Sequence, residues 1–303
     1  MLLPEFCEEL FYVKEINLFE TSFKIYLQKV FNYNILEIQS FLKQFNKDYT
    51  IQQLKNLTYL KVSNTQLTKL PTFTILTKLQ YLSLSHNQLT SIPTLNFHNL
   101  KYLSFQDNQL AELPSLTLSN LPNLQSLRLS YNQLTSIPAL NFPNLERLYL
   151  HDNQLTSIPN LNLPNLQFLF LENNQLTSIL NFNLPYLRGL YIFNNELTSI
   201  PTLSLLPNLQ YLDLSNNQLT TISLNLPYLE RLHLSNNQLT TLNLDLPNLQ
   251  DLDISDNQLK NFSNLKLPSL QRINLIGNHQ LTEIPTSSLF PNLQMYIFKE
   301  KLF

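Results

Sequence analysis

Leucine returns along this chain with a steady rhythm. From Leu57 onward the string L-x-x-L-x-L-x-x-N-x-L recurs, starting at Leu57, Leu79, Leu100, Leu124, Leu145, Leu166, Leu187, Leu209, Leu229, Leu249 and Leu270, with a degenerate copy at Leu293. Successive starts lie 20 to 24 residues apart. The copy Leu209–Leu219 carries the physics. Residues Tyr211 to Leu214 alternate outward and inward, the period of a strand. Leu212 and Leu214 point to a core, Tyr211 and Asp213 point away from it, and Leu209 and Leu219 close the core from either side. One copy cannot bury that face alone, so the copies must stack. Each leucine buried this way contributes roughly 1.5–3 kcal/mol. The pattern predicts a parallel sheet with one short strand per copy.

The ninth position of the string is asparagine: Asn87, Asn108, Asn132, Asn153, Asn174, Asn195, Asn217, Asn237, Asn257 and Asn278. The chain must turn inward there, and backbone groups at the bend lack ladder partners. An amide side chain both donates and accepts, so a buried asparagine can serve them. Stacked, the column forms a structural asparagine ladder. Thr65 takes the place in the first copy, as suits an atypical terminal unit. Beyond the ladder runs Leu-Thr-x-Ile-Pro, as in Leu89–Pro93 and Leu155–Pro159, and then a short Asn/Leu/Pro stretch. Proline fixes φ and lacks a donor, so this returning leg is expected to be extended, polyproline-like or short 3₁₀ rather than helical. Ahead of the repeats, Ile35, Leu36, Ile38, Phe41, Leu42 and Phe45 follow helical spacing, and residues 19–31 also read as a helix. At the far end Met295–Phe298 is an apolar strand with no successor, and Lys299, Glu300 and Lys301 are expected to discourage further pairing.

The leucine positions and the ninth-position asparagine together resemble the leucine-rich repeat proteins, in a short form of about 21 residues per repeat. The resemblance runs from about Leu57 to the C-terminus. It implies an α/β solenoid: a horseshoe with a parallel concave β-sheet, a mostly non-helical convex side and a small helical N-terminal cap. On this reading residues 1–56 are the cap, and 57–303 form the solenoid of about 11 full repeats plus the degenerate one. The family resemblance says little about activity, because many functions share the scaffold. It implies a protein–protein interaction module, monomeric on its own, with no enzymatic activity and no cofactor.

Composition narrows the function classes. Charged residues make up 13% of the 303, and the formal net charge is −2, so no basic surface for nucleic acid is expected. There are only two glycines, so phosphate-cradling loops are excluded. The single cysteine, Cys7, permits no internal disulfide and no thiolate metal cluster. The start Met1-Leu-Leu-Pro-Glu has no basic stretch, and no apolar run reaches the ~18 residues of a membrane helix. The expected location is the cytoplasm, or a host cytosol reached without a cleavable signal peptide, and no membrane partner is expected.

Catalytic patterns are absent. His86, His98, His151, His233 and His279 fit no metal or triad motif. Leu3-Pro4 followed by Leu10 gives a short match to an F-box start, the mark of a substrate-recognition adaptor in a ubiquitin-ligase-type complex. Short, proline-containing repeats are also similar to those of secreted bacterial ubiquitin-ligase effectors, and a relative without the ligase domain could be delivered into a host cell.

The third, fifth and seventh positions of each repeat form the solvent side of the sheet. In the middle of the chain these hold Tyr149, Phe168, Phe170, Tyr191 and Phe193, flanked by Arg128, Arg147, His151 and Arg188. An exposed aromatic patch beside arginines has the composition of an interface hot spot. Other repeats place Ser, Asp or Asn at the same positions. Tyr211, Asp213, His233 and Asp253 extend the candidate surface. Asp213, His233 and Asp253 should stack ~4.8 Å apart, so that carboxylates on both sides favour a protonated histidine and a pH-sensitive contact. Toward the C-terminus Asp251, Asp253 and Asp256 alternate with Arg231 and Arg272, which gives the face a direction for a charged partner.

Overall fold

A computed structural model describes residues 35–44, 47–71, 73, 75–113, 121–261, 265–282, 290–298 and 301–302. The expected helix at 19–31, the F-box-like start, Cys7 and Phe45 lie outside them. Each repeat contributes one three-residue strand, whose middle leucine or isoleucine is buried. These are β1 (Tyr59–Lys61), β2 (Tyr81–Ser83), β3 (Tyr102–Ser104), β4 (Ser126–Arg128), β5 (Arg147–Tyr149), β6 (Phe168–Phe170), β7 (Gly189–Tyr191), β8 (Tyr211–Asp213), β10 (Arg231–His233), β12 (Asp251–Asp253) and β14 (Arg272–Asn274). They pair in parallel and in strict register, position five on position five, as in Tyr149↔Phe170 and Phe170↔Tyr191. One continuous hydrophobic core runs behind the sheet from Ile35 to Phe298.

The asparagine ladder forms as the chemistry requires. Asn108 shows the pattern. Its Nδ2 donates to Leu84 O at 3.1 Å and to Phe105 O at 3.0 Å, while its Oδ1 accepts from Leu89 N at 3.0 Å. Each asparagine thus ties the bend of its own repeat to that of the repeat before it. Thr65 donates to Asn87 Oδ1 from both its backbone amide, at 3.1 Å, and its hydroxyl, at 2.8 Å.

The eighth position, immediately before the ladder, is left-handed in every full repeat. Asn64, His86, Asp107, Tyr131, Asp152, Asn173, Asn194, Asn216, Asn236 and Asp256 have φ of 51–59°, and Gly277 has φ +77. Asn and Asp tolerate this region better than most side chains, which explains their prevalence here. A Cβ on Gly277 would lie 2.1 Å from an Asp256 carboxylate oxygen, so glycine is the residue that fits.

The returning leg is extended, as expected, but three repeats add a second sheet. Strands β9 (Thr221–Asn225), β11 (Thr241–Asp245) and β13 (Leu265–Lys266) pair in parallel on the convex side. The reason is the proline slot of Leu-Thr-x-Ile-Pro. Proline cannot donate to a ladder and is confined to sheet edges. Ser223 and Asn243 replace it here, and Asn243 Nδ2 also donates to Ser223 Oγ at 3.0 Å.

Both ends are closed. Helix α1 (residues 35–43) buries Ile35, Ile38, Phe41 and Leu42, while Leu36 faces solvent. Helix α2 (Ile51–Lys55) starts with a capping box, Thr50 with Gln53, and buries Leu54. At the other end β15 (Met295–Phe298) adds to β14, and β16 (Lys301–Leu302) folds back antiparallel on it. Lys301 therefore takes part in pairing rather than only discouraging it. Lys299 and Glu300 lie outside the described residues.

Candidate partner-binding site

The sheet spacing of ~4.8 Å is close to an aromatic stacking distance, so rings in register on neighbouring strands must meet face to face. Tyr59, Tyr81 and Tyr102, all at position three, stack with centroids 4.4 and 4.3 Å apart. At the fourth repeat the row crosses to position five. The Arg128 guanidinium lies 5.6 Å from the Tyr102 ring and 4.5 Å from the Tyr149 ring. Tyr149, Phe170 and Tyr191 follow at 4.5 and 4.6 Å, and Tyr191 meets Tyr211 at 4.7 Å. His233 ends the row edge-on to Tyr211 at 5.3 Å. The row holds nine side chains from the first repeat to the ninth.

The crossings follow from size. Position five holds Ser83 and Ser104 where position three holds tyrosine. Where position five is aromatic, at Tyr149, Phe170 and Tyr191, position three holds Arg147, Phe168 and Gly189. A Cβ added to Gly189 would lie 2.8 Å from the Phe168 ring and 3.0 Å from the Tyr191 ring, so glycine lets both lean across the strand. Phe168 sits 6.4 Å from Phe170, beneath Arg147 at 5.8 Å. The expected exposed patch is therefore half-buried: Tyr149, Phe168, Phe170, Tyr191 and Phe193 are all intermediate in exposure. Stacking covers the ring faces of the row and leaves the edges at the surface.

Beside the row, position seven runs Ser130, His151, Glu172. Arg128 Nε, Ser130 Oγ, His151 Nδ1 and Glu172 Oε2 are buried without a hydrogen-bond partner. His151 Nδ1 is 3.5 Å from Glu172 Oε1, close enough for charge to be felt but not aligned as a hydrogen bond. Burial pushes the Glu172 carboxyl up to about 7, a hydrogen bond from its own backbone opposes this, and Asp152 and Asp213 add to it. Burial also holds His151 below its ordinary value, opposed by Asp152 and aided by Arg128.

A pH prediction follows. Folded Glu172 holds its proton more tightly than unfolded Glu, so this stabilisation is lost as pH rises from the unfolded value toward about 7. Above that, the wild type carries a buried charge that Glu172→Gln lacks. The thermal midpoint of Glu172→Gln should exceed that of the wild type by ~2–4 °C at pH 8, and the gap should close at pH 5. A gap of equal size at both pH values, measured by circular dichroism, refutes the assignment.

At the C-terminal end of the row only one of the two expected carboxylates touches His233. Its Nδ1 lies 3.5 Å from Asp213 Oδ2 and 3.2 Å from the Tyr211 hydroxyl, which itself donates to Asp213 at 3.2 Å. Asp253, though in register with His233, turns to the next turn of chain. It accepts from Ser255 Oγ at 2.6 Å and from Asn274 at 3.2 Å. The hydrogen bond to Asp213 raises His233 despite its burial. Burial pushes Asp213 upward, and the hydrogen bonds from His233 and Ser215 outweigh it and hold the carboxyl low.

Arg188 lies apart from the row. It is exposed and lines a shallow polar pocket of ≈ 210 Å³ with Gln125, Asn144, Glu146, Asn165, Gln167 and Tyr186. That pocket borders a second asparagine ladder that the repeat pattern contains but sequence reasoning passed over. The Asn of Leu-Pro-Asn-Leu donates to a carbonyl of the preceding repeat, as in Asn144 to Pro122 O at 3.0 Å and Asn165 to Pro143 O at 2.7 Å. Among the described residues no group of His, Cys, Asp and Glu is arranged to hold a metal ion, and no helix is long and apolar enough to cross a membrane.

No curated protein sequence matches the chain. Solved structures do. YopM from Yersinia enterocolitica is 29% identical with a TM-score of 0.56, over 79% of this chain and 59% of its own. The chain thus spans well under two thirds of that relative. YopM from Yersinia pestis, described as a leucine-rich effector protein, is 28% identical with a TM-score of 0.58, over 82% of this chain and 80% of its own. The octameric complex of latrophilin 3, Unc5D and FLRT2, the last with its repeat domain, gives 26% identity and a TM-score of 0.63, over 73% of this chain and 75% of the matched one. The sequence profile for leucine-rich repeats, a two-copy unit, matches residues 55–97, 98–142, 143–186, 185–227, 207–246 and 247–292. With the profile, the register and the asparagine ladder in agreement over four fifths of its length, the chain belongs to the leucine-rich repeat family.

Proposed function

We propose that the chain is a protein-binding scaffold without enzymatic activity, which holds its partner on the concave sheet with the row from Arg128 to His233 at the centre of the contact. One observation carries this reading. The sheet presents an uninterrupted row of ring edges, hydroxyls and a guanidinium where a typical solvated sheet face presents small polar residues. Stacking holds these side chains in single orientations before any partner arrives, so little conformational entropy is lost on contact. Arg147, His151, Phe168 and Phe193 flank the row, and Asp213 and Asp253 give its C-terminal end a negative character.

Nucleic acid fits this surface poorly. Bases bind by stacking on free aromatic faces, and within the row each face is already covered by the next ring. A protein partner also accords with the FLRT2-containing assembly among the similar structures. A second reading, an effector acting in a host cytosol, is favoured by the similarity to the YopM effector proteins. It concerns where the scaffold works rather than how it binds. The test is affinity purification with the wild type and the Phe170→Ala/Tyr191→Ala variant side by side. A partner held by the wild type and lost from the variant supports the reading; a partner held equally by both overturns it.

A further inference from the structure

We infer that the central repeats recognise an acidic peptide segment, whose carboxylates and carbonyls are received by Arg128, Ser130, His151 and Glu172 alongside the aromatic row. The inference rests on the binding role proposed for that face and names the chemistry of its partner.

Four buried polar atoms without partners lie in three consecutive repeats. Native proteins leave very few such atoms, and a cluster of them calls for an explanation. Ser130, His151 and Glu172 occupy the same position on successive turns, so neighbours are ~4.8 Å apart, and Arg128 precedes Ser130 by two residues on the same face. Their hydrogen-bonding capacities decide the ligand. Arg128 Nε can only donate. The Ser130 hydroxyl, the His151 ring nitrogen and a protonated Glu172 carboxyl can each donate as well. A ligand rich in acceptor oxygens satisfies all four. A cation satisfies none of the donors and is repelled by Arg128. An apolar group leaves every atom unpaired.

The aromatic row points the same way. Its edges carry the positive end of the ring quadrupole, which attracts carbonyl and carboxylate oxygens. The Arg128 guanidinium, held between the Tyr102 and Tyr149 rings, supplies a fixed positive charge. The four atoms lie just beneath the concave surface while the His151 and Glu172 side chains retain 18% and 13% exposure, so a ligand meets them once these side chains turn outward, a rotamer change of the kind common on binding.

Glu172 adds a proton requirement. The groups facing it are His151, Asp152, Asp213, Tyr131 and, across the row, Tyr191. When its carboxyl ionises, it turns from donor into a charge that repels the acidic ligand. Its value of about 7 places that change between pH 6 and pH 8.

The test uses fluorescein-labelled hexaglutamate, hexaglutamine and hexalysine with the whole chain, read by fluorescence anisotropy. Hexaglutamate should bind at least tenfold tighter than hexaglutamine, and about tenfold more weakly at pH 8 than at pH 6, as the protonated fraction of Glu172 falls. Arg128→Gln should remove this binding. Ser130→Ala, a milder change that keeps the row, should weaken it several-fold. Lys266→Gln, on the convex sheet and already paired with Asp245 at 3.0 Å, should leave it unchanged. Equal binding of hexaglutamine, tighter binding of hexalysine, no binding of hexaglutamate at 1 mM, or an equal loss with Lys266→Gln overturns the acidic-peptide assignment. If hexaglutamate fails while the Phe170→Ala/Tyr191→Ala variant still loses its partner, the concave binding role stands and only the ligand class falls.

Discussion

Replacing Phe170 and Tyr191 together by alanine is expected to weaken partner binding at least a hundredfold and also to lower the thermal midpoint. The binding loss follows from position. Both residues sit mid-row, and central, well-packed aromatics carry most of an interface's energy, at ~2 kcal/mol or more each. The stability loss follows from stacking. Within the row the pair makes three stacked contacts, Tyr149–Phe170, Phe170–Tyr191 and Tyr191–Tyr211. Each adds ~0.5–1.5 kcal/mol beyond area burial. A midpoint fall of roughly 5–15 °C is the consequence. Tyr191→Phe separates the two effects, because it keeps the stack and removes one hydroxyl; its midpoint should stay within about 2 °C of the wild type. The alanine pair should be assayed well below its own midpoint. If it binds within threefold of the wild type there, the row is purely a structural spine.

The second large effect belongs to the ladder. Asn174 donates to Leu150 O at 3.1 Å and to Leu171 O at 3.0 Å, and accepts from Leu155 N at 2.9 Å. Asn174→Ala leaves Leu155 N unpaired in the middle of the solenoid and takes from Leu150 O and Leu171 O one of two donors each, Asn153 and Asn195 supplying the other. At ~1–3 kcal/mol for the unpaired amide and ~0.5–1.5 kcal/mol for each lost bond, the cost is roughly 2–6 kcal/mol, a large share of a typical stability of ~5–15 kcal/mol. Repeat proteins hold together through nearest-neighbour contacts, so a break at the centre uncouples the two halves. Urea unfolding of Asn174→Ala should therefore start earlier and separate into two phases. A single transition displaced by less than about 1 kcal/mol would show that water or neighbouring side chains take over the ladder bonds.

The columns that repeat one residue type were the most legible. Leucine or isoleucine at the fourth position and an apolar residue at the sixth have one physical reading, and so does asparagine at the ninth position from the second repeat on. Features that depend on two columns at once were harder to see. Tyr102, Arg128 and Tyr149 form one run only because Ser104 and Ser126 leave space on either side of the crossing, and no single position records that. Alternation gives a side chain's direction but not how its neighbours cover it, so the pattern alone presents the rings as exposed. The second sheet had a signal that went unused: the proline slot is vacant at Ser223 and Asn243. The left-handed eighth position had one too, in its run of Asn and Asp. The unpaired atoms of Arg128, Ser130, His151 and Glu172 had none, since hydrogen-bond geometry is absent from a pattern of residue types.

The second sheet also gives the solenoid two mechanical regimes. In the repeats whose leg carries proline, such as those with Pro93, Pro138 and Pro159, the outer rim has no continuous ladder among the described residues and is joined at most by a single bridge, as between Asn141 and Asn162. Where β9, β11 and β13 pair, the rim is cross-linked by backbone hydrogen bonds, and inner and outer sheets resist flexing together as the two flanges of a beam do. Opening or tightening of the horseshoe should therefore concentrate in the N-terminal two thirds, which holds all of the aromatic row but Tyr211 and His233, while the C-terminal third moves as a stiff arm.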